Sequence, residues 1–183
     1  MIIAIGLIEL NSIARGIETA DTMLKAGEVT LDFAKPVCPG KFIVEVHGDV
    51  GAVKASVAAG LALAGACVVN HLLISRVHPM LIPAINAVVE APAQVEALGV
   101  VEYFDIASAI VGADAAAKAA QVTLIEVRLG MGIGGKSFFK LCGEVADVRS
   151  GVTAALDVAH ERTTLVSTCI IPAPDPALFR EML

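Results

Sequence analysis

One cysteine stands out because its neighbours would hold it rigidly. In the stretch KPVCPGKF, residues 35–42, Cys38 lies between two prolines and next to a glycine. Proline restricts the backbone beside the thiol. Taken alone, these residues indicate a surface thiol that is either without a function or merely reactive. A further role would require the chain to meet copies of itself around a symmetry axis.

A second stretch, GMGIGGKS at residues 130–137, matches the phosphate-binding pattern G-x-x-x-x-G-K-[ST]. That site requires a helix to begin at the end of the loop, so that backbone N–H groups point at the phosphate. Here the loop continues into SFFKLC, whose residues favour a strand. We therefore interpret the stretch as a glycine-rich hairpin and not as a nucleotide site.

Composition excludes several classes of protein. The 183 residues carry a net charge of −6 without a basic block, which argues against a nucleic-acid partner. Hydrophobic residues make up 56% of the chain, yet its longest uncharged apolar run, residues 55–69, is shorter than the roughly 20 residues of a membrane span. No basic segment precedes the first apolar stretch, so we expect no signal peptide. The four cysteines are then reduced thiols in a cytoplasmic protein.

The chain contains an internal repeat. Residues 4–31 align with residues 97–124 at an offset of 93, and after two extra residues the offset becomes 95. We therefore predict two tandem domains, 1–90 and 97–183, which meet within residues 90–96. The identical pairs include Gly6/Gly99, Glu9/Glu102, Ile13/Ile106, Asp21/Asp114, Lys25/Lys118, Gly40/Gly135 and Lys41/Lys136.

Each repeat predicts the order β-α-β-β-α-β. Apolar runs alternate with Ala-rich stretches of helical spacing, and Asp49 or Glu144 precedes the second helix as a candidate N-cap. The fold class is α/β (α+β), with two ferredoxin-like domains whose antiparallel sheets carry helices on one face. The predicted elements are residues 2–9, 12–26, 30–34, 41–47, 50–66 and 68–75, and then 99–103, 106–119, 123–129, 136–142, 145–159 and 164–171.

Three segments carry a family resemblance: GLIELNSIARGIETADTMLKAGEVTL, HGDVGAVKASVAAG and IIPAPDP. They resemble the bacterial microcompartment shell domain, over essentially the whole chain and twice. The resemblance implies a homotrimer that mimics a hexamer, a flat tile that joins other shell proteins around metabolic enzymes, and hairpin turns that line a central pore. Within this family, VCPGKF and GIGGK resemble the iron–sulfur tandem shell proteins of propanediol-utilisation compartments.

The resemblance also implies a cofactor. Cys38 from three subunits would hold one [4Fe–4S] cluster per trimer on the threefold axis, with a ligand other than cysteine on the fourth iron. The cluster would serve electron transfer or redox sensing across the shell. The glycine-rich hairpin of the second repeat either gates the pore or is a turn without that role. The residues expected to line the pore are Pro36, Val37, Cys38, Pro39, Gly40, Gly132, Ile133, Gly134 and Gly135.

The remaining expectations concern the tile edge and the other thiols. Lys25 and Lys118 match the lysine with which shell domains contact neighbouring tiles. Cys67 and Cys169 are expected to be small buried hydrophobes, and Cys142, which matches His47, to be structural.

The sequence is compatible with more than one function. No nucleophile, base and orienting partner form a motif, so we expect no enzyme. The partners would be further copies of the chain, other shell proteins, and either encapsulated enzymes or an electron-transfer partner, in the cytoplasm and without membrane or nucleic acid. A metal-free pore for small metabolites and a soluble small-molecule-binding regulator are the alternatives.

Overall fold

The computed structural model describes residues 4–90, 92, 94–162 and 164–182, and for residues 159–162 only the helical backbone. Residues 2 and 3 of the first predicted strand, and residues 91 and 93 of the predicted domain junction, lie outside this part. The chain folds into two compact units, Met1–Val77 with Gly130–Gly135, and His78–Leu129 with Lys136–Leu183. The domain bounds 1–90 and 97–183 stay a prediction.

The first unit has the predicted element order. Its elements are β1 (Ala4–Leu10), α1 (Ile13–Ala26), β2 (Val29–Val37), β3 (Lys41–Gly48), α2 (Val50–Ala64), a 3₁₀ turn (Gly65–Cys67) and β4 (Val68–Ile74). The sheet is antiparallel throughout, in the order β2-β3-β1-β4, which is that of a split β-α-β fold.

The second unit repeats the topology. Its elements are α3 (Leu81–Ile85), β5 (Ala97–Tyr103), α4 (Ile106–Ala119), β6 (Thr123–Leu129), β7 (Ser137–Gly143), α5 (Val145–Arg162), β8 (Leu165–Pro172) and α6 (Pro176–Glu181). The sheet order is β6-β7-β5-β8. The two short helices, α3 and α6, were not predicted, because five or six residues are too few to show a helical period. The predicted antiparallel α/β fold with two tandem domains is thus confirmed.

Side chains at the helix starts explain where two of the helices begin. Ser12 Oγ accepts from the N–H of Arg15 at 3.3 Å, and Asp105 Oδ1 accepts from the N–H of Ser108 at 2.8 Å. Asp49 stands at the N-cap of α2 as predicted, but its side chain makes no capping hydrogen bond. Only the backbone carbonyl of Asp49 takes part, by accepting from the N–H of Val53 at 2.9 Å.

The side chains of strand β3 point alternately to the two faces of the first sheet. Phe42, Val44 and Val46 belong to the core cluster that also contains Ile8 of β1 and Met23 of α1. Because side chains alternate along a strand, Ile43, Glu45 and His47 point to the opposite face. The first sheet therefore places a carboxylate and an imidazole on the face away from this core.

The apolar stretch Val50–Cys67 is long enough, by length and composition, to cross a membrane, with 18 residues and a mean hydropathy of 1.6. It consists of α2 and the following 3₁₀ turn, and it contains Lys54. Within the unit, α2 contacts α1 and β1, and the Ser56 hydroxyl donates to the carbonyl of Met23 at 2.9 Å. We therefore assign the stretch to the helical layer of the first domain.

Candidate metal centre at the Cys38 turn

The Cys38 turn, residues 37–40, joins β2 to β3. The N–H of Gly40 donates to the carbonyl of Val37 at 3.0 Å, and the peptide bond between Cys38 and Pro39 is cis, as in turns with a cis-proline at the third position. Gly40 has a φ of +86°, which favours glycine. Val37 is buried, whereas Cys38 is exposed at the tip. The fold thus presents the thiol on a short, restricted hairpin.

An ion pair anchors the base of this hairpin. Lys41, the first residue of β3, lies 2.7 Å from the carboxylate of Glu9, which is fully buried. The second repeat carries the same pair, Lys136 with Glu102, also at 2.7 Å. The repeat alignment identified all four positions, but the sequence did not predict that they pair. Because a buried carboxylate needs a partner, this pair holds the end of β3 next to the turn against β1.

The second repeat contributes a longer turn, the glycine loop Gly130–Gly135, which belongs to the same compact unit as Cys38. The N–H of Cys38 donates to the carbonyl of Gly130 at 3.3 Å. Gly135 approaches so closely that an added Cβ would lie 2.5 Å from the carbonyl oxygen of Cys38. Spacing along the sequence gave no signal for this contact. Gly135, one member of the second predicted set of pore residues, therefore contacts the Cys38 turn of the first set.

The loop is a hairpin and not a phosphate site, as the sequence predicted. Strand β7 begins at Ser137, so no helix N-terminus follows the loop. Gly130, Gly132, Gly134 and Gly135 all have positive φ values, between +65° and +80°. Glycine adopts this backbone conformation at low cost, which explains the composition of the loop without a bound nucleotide.

The described residues of a single chain do not form the predicted metal centre by themselves. Among the described residues, no three or more His, Cys, Asp or Glu side chains are grouped so that they could hold a metal ion. Cys38 supplies one exposed, free thiol. The donor type fits an iron–sulfur cluster, which uses cysteine thiolates, but the number fits only if further copies bring their own Cys38. The single chain is thus compatible with a cluster only through symmetry.

The other cysteines differ in exposure. Cys142 is buried, and this burial raises the pKa of its thiol to about 11, so it stays protonated and unreactive. Cys67 is half-buried, and Cys169 on β8 is exposed. The expectation that Cys169 is buried was therefore wrong for the single chain, because its side chain lines a groove on the outer face of the second sheet.

This groove is present in the second repeat, and four of its positions are buried in the first repeat. It has a volume of about 360 Å³, and we call it the β8 groove. Its lining residues are Val100, Glu102, Phe138, Lys140, Ser167, Thr168, Cys169 and Met182. The first repeat has Leu7, Glu9, Ile43 and Glu45 at the positions of Val100, Glu102, Phe138 and Lys140, and all four are at most 1% exposed.

The first helices of the two repeats show the opposite difference. On α1, Ile13, Ile17 and Leu24 are 44%, 59% and 39% exposed, and we call these three residues the α1 face. Their repeat partners on α4, Ile106, Ile110 and Ala117, are at most 6% exposed. One repeat thus exposes an apolar helix face and the other exposes an apolar groove.

The two lysines predicted at the tile edge have different surroundings. Lys25 lies 2.6 Å from Asp21, and both side chains are exposed. Lys118 pairs with Asp114, whose side chain is only 7% exposed and also accepts from the N–H of His78 at 2.7 Å. Lys118 therefore neutralises a buried carboxylate, which Lys25 does not.

Glu45 is a buried carboxyl group on the outer face of the first sheet. One of its oxygens has no hydrogen-bond partner in the described part of the chain. Burial, aided by the charge of Asp32 and opposed by Lys35, raises the pKa of Glu45 to about 8. Nearby, His47 Nδ1 lies 2.7 Å from Asp32. Burial also raises the pKa of Asp32, although His47 acts in the opposite direction.

Comparison with known proteins identifies the family. The family model described as "BMC domain" matches residues 4–77 and 97–174. The chain is 42% identical to the bacterial microcompartment shell protein PduT of Citrobacter freundii, over 98% of this chain and 97% of that protein. It is 43% identical to the carboxysome shell protein CcmK2 of Synechococcus elongatus, over 43% of this chain and 80% of that protein.

Two solved structures share the fold. A microcompartment protein from Desulfitobacterium hafniense is 52% identical with a TM-score of 0.88, and the match covers 98% of this chain and 99% of that one. The fused permuted hexameric shell protein MSM0275 from the RMM microcompartment is 29% identical with a TM-score of 0.67, covering 87% and 82%. This chain therefore belongs to the BMC-domain family and is a tandem-domain shell protein of a bacterial microcompartment, which lies in the cytoplasm.

Proposed function

We propose that three copies of this chain form one tile, in which the two BMC domains of each copy alternate around a central pore. A structural relative is named as a fused hexameric shell protein. A chain with two BMC domains needs three copies to supply the six domains of such a tile. Closed rings are also the usual form of soluble homo-oligomers.

The exposed apolar surfaces support this trimer. The α1 face and the β8 groove are surfaces at which one repeat is more exposed than the other. A second copy that places its α1 face in the β8 groove would remove both surfaces from water. Burying one Ile or Leu side chain contributes about 1.5–3 kcal/mol, and a closed trimer would form this contact three times.

The pore of this tile would carry the Cys38 turns. The observation that supports the metal centre is the exposed thiol of Cys38, which stands at the tip of a hairpin restricted by Pro36 and Pro39. Three such thiolates on a threefold axis match three irons of one [4Fe–4S] cluster. The fourth iron would take a ligand other than a cysteine of this chain.

When bound, the cluster would supply one-electron redox chemistry. The residues of the chain would hold the thiolates in place at the pore, where the turn is open to solvent. A tile with this site would transfer electrons across the shell or sense redox state. Its partners would be other shell proteins at the tile edge and either encapsulated enzymes or an electron-transfer protein at the pore.

Iron and acid-labile sulfide analysis of protein purified without oxygen tests this proposal. We expect about four irons and four sulfides per trimer. Cys38→Ser should abolish both and keep the trimer, while Cys169→Ser, which changes the other exposed cysteine, should retain both.

Three results would contradict parts of the proposal. Absence of iron after anaerobic reconstitution would favour the metal-free pore for small metabolites. Loss of the trimer in Cys38→Ser would mean that the thiol is a structural element. A discrete oligomer that a ligand stabilises, and that forms no arrays, would favour the soluble regulator.

A further inference from the structure

We propose that the glycine loop of the second repeat positions the iron-binding thiol of the first, with Gly135 as the positioning residue. This inference rests on the proposed function, since it concerns the turn that would hold the cluster. The two ends of the glycine loop hold Cys38 in position, while the middle of the loop stays open to solvent. This role differs from gating of the pore.

Gly135 lies very close to the Cys38 turn. An added Cβ at Gly135 would lie 2.5 Å from the carbonyl oxygen of Cys38, 2.5 Å from Cδ of Pro39 and 3.1 Å from the carbonyl carbon of Cys38. Non-bonded heavy atoms settle near 3.5–4.0 Å, so the turn would have to move by on the order of 1 Å. None of the three atoms belongs to a flexible side chain that could rotate away.

A hydrogen bond joins the other end of the loop to the Cys38 turn. The N–H of Cys38 donates to the carbonyl of Gly130 at 3.3 Å. Gly130 and Gly135 are both buried, whereas Met131, Gly132 and Gly134 are exposed. The loop therefore contacts the thiol turn from both of its ends, while its middle faces solvent.

A metal centre tolerates only small displacements of its ligands. Ligand distances in metal sites vary by only about ±0.2 Å, so a shift of the turn by several times that amount would misplace all three thiolates. Because each copy supplies one thiol, the error would occur three times on the axis. Gly135 is then required at its position because any side chain would displace the ligand.

A matched pair of variants tests the inference. Gly135→Ala adds a methyl group against Cys38, whereas Gly134→Ala adds the same group where nothing lies within 4 Å. Both glycines have left-handed backbones, with φ of +80° and +67°, so the conformational strain of the two changes is similar. A difference between the variants would therefore report the contact with Cys38 and not the backbone.

The first readout is iron binding. We expect Gly135→Ala to weaken iron binding by about 10-fold or more, the range typical of changes behind a metal ligand, and to change the EPR spectrum. Gly134→Ala should retain the iron content and spectrum of the unmodified protein. Equal iron content and identical spectra in the two variants would overturn the inference.

The second readout needs no cluster. In metal-free trimers that carry Cys169→Ser, we expect the alkylation rate of Cys38 by a maleimide to change in Gly135→Ala and not in Gly134→Ala. If the unmodified protein never binds iron, the proposed metal centre fails, but these rates still decide whether Gly135 positions the thiol. Equal rates would contradict it.

A measurement on the unmodified protein covers the case in which Gly135→Ala does not fold. Amide hydrogen exchange at Cys38 should be slower than the intrinsic rate of a free amide, because its N–H donates to the carbonyl of Gly130. Exchange at the rate of a free amide would mean that the loop does not hold the turn.

Discussion

Ile17 and Ile110 occupy the same position of the two repeats, yet Ile17 is 59% exposed and Ile110 is fully buried. The sequence of the helices does not explain this difference, since both residues are isoleucine. Exposed apolar surface of this kind marks an interface. A substitution at Ile17 therefore tests whether the α1 face belongs to the proposed trimer interface.

Ile17→Asp should convert the trimer into single chains. A carboxylate on the α1 face would have to lose its water in the β8 groove, which costs several kcal/mol at each of three contacts. The measurement is sedimentation velocity at micromolar concentration. Val88→Asp is the control, since Val88 is 70% exposed and lies outside the α1 face. A trimer that survives Ile17→Asp would place the interface elsewhere.

The thiol of Cys169 should report the same interface by chemistry. Cys169 lines the β8 groove and is exposed in the single chain. In a Cys38→Ser background we expect slow labelling by a maleimide in the trimer and fast labelling once Ile17→Asp separates the chains. Cys142 should stay unlabelled in both, because its buried thiol has a pKa of about 11. Fast labelling of Cys169 in intact trimers would show that the groove is open.

Glu45 should make the fold less stable as pH rises. The folded chain holds its proton up to a pKa of about 8, whereas the ordinary value is 4.5. Between these values the unfolded chain releases the proton and the folded chain keeps it, so the free energy of unfolding falls with increasing pH. The loss amounts to a few kcal/mol at most over this range.

Glu45→Gln removes this titration and keeps the shape of the side chain. We expect the variant to gain stability relative to the unmodified protein between pH 5 and pH 8, followed as Tm by calorimetry. Parallel curves of Tm against pH would show that Glu45 is already ionised in the fold.

The two edge lysines should respond differently to removal. Lys118→Ala removes the ion pair of the buried Asp114 carboxylate, which keeps its hydrogen bond from the His78 N–H. We expect the free energy of unfolding to fall by about 1 kcal/mol. Lys25→Ala breaks an exposed pair, which is worth at most about 0.5 kcal/mol. Thermal unfolding measures this difference.

The prediction of a tile edge is tested by Lys25→Ala. This variant should reduce two-dimensional arrays in negative-stain micrographs while trimers persist. Because the exposed pair contributes little to the stability of the fold, a loss of arrays would come from the edge. Arrays of normal extent in Lys25→Ala would remove Lys25 from the tile edge.

The fold was predictable because the sequence contains two copies of the same domain. Identical residues such as Gly6 and Gly99 fixed the alignment, and alternating apolar runs gave strands within a few residues of those observed. Helices α3 and α6 escaped prediction because single helical turns have no period. The side chain of Asp49 does not cap its helix, because an N-cap preference is a tendency and tertiary contacts decide it.

The candidate site was predictable only in part. The prolines around Cys38 indicated a rigid thiol turn, and the structure has that turn. The contact with Gly135, the burial of Glu45 and the exposure of Cys169 depend on residues distant in sequence. A repeat alignment treats Ile17 and Ile110 as equal, so it could not show that only one of them is exposed.

Native mass spectrometry of the anaerobically purified protein tests the central claim most directly, because it reports subunit number and bound cluster in one spectrum. We expect a species with the mass of three chains plus one Fe₄S₄ unit, and three chains alone for Cys38→Ser. Three chains without added mass after reconstitution would contradict the metal centre. A species whose subunit number is not three would contradict the tile itself.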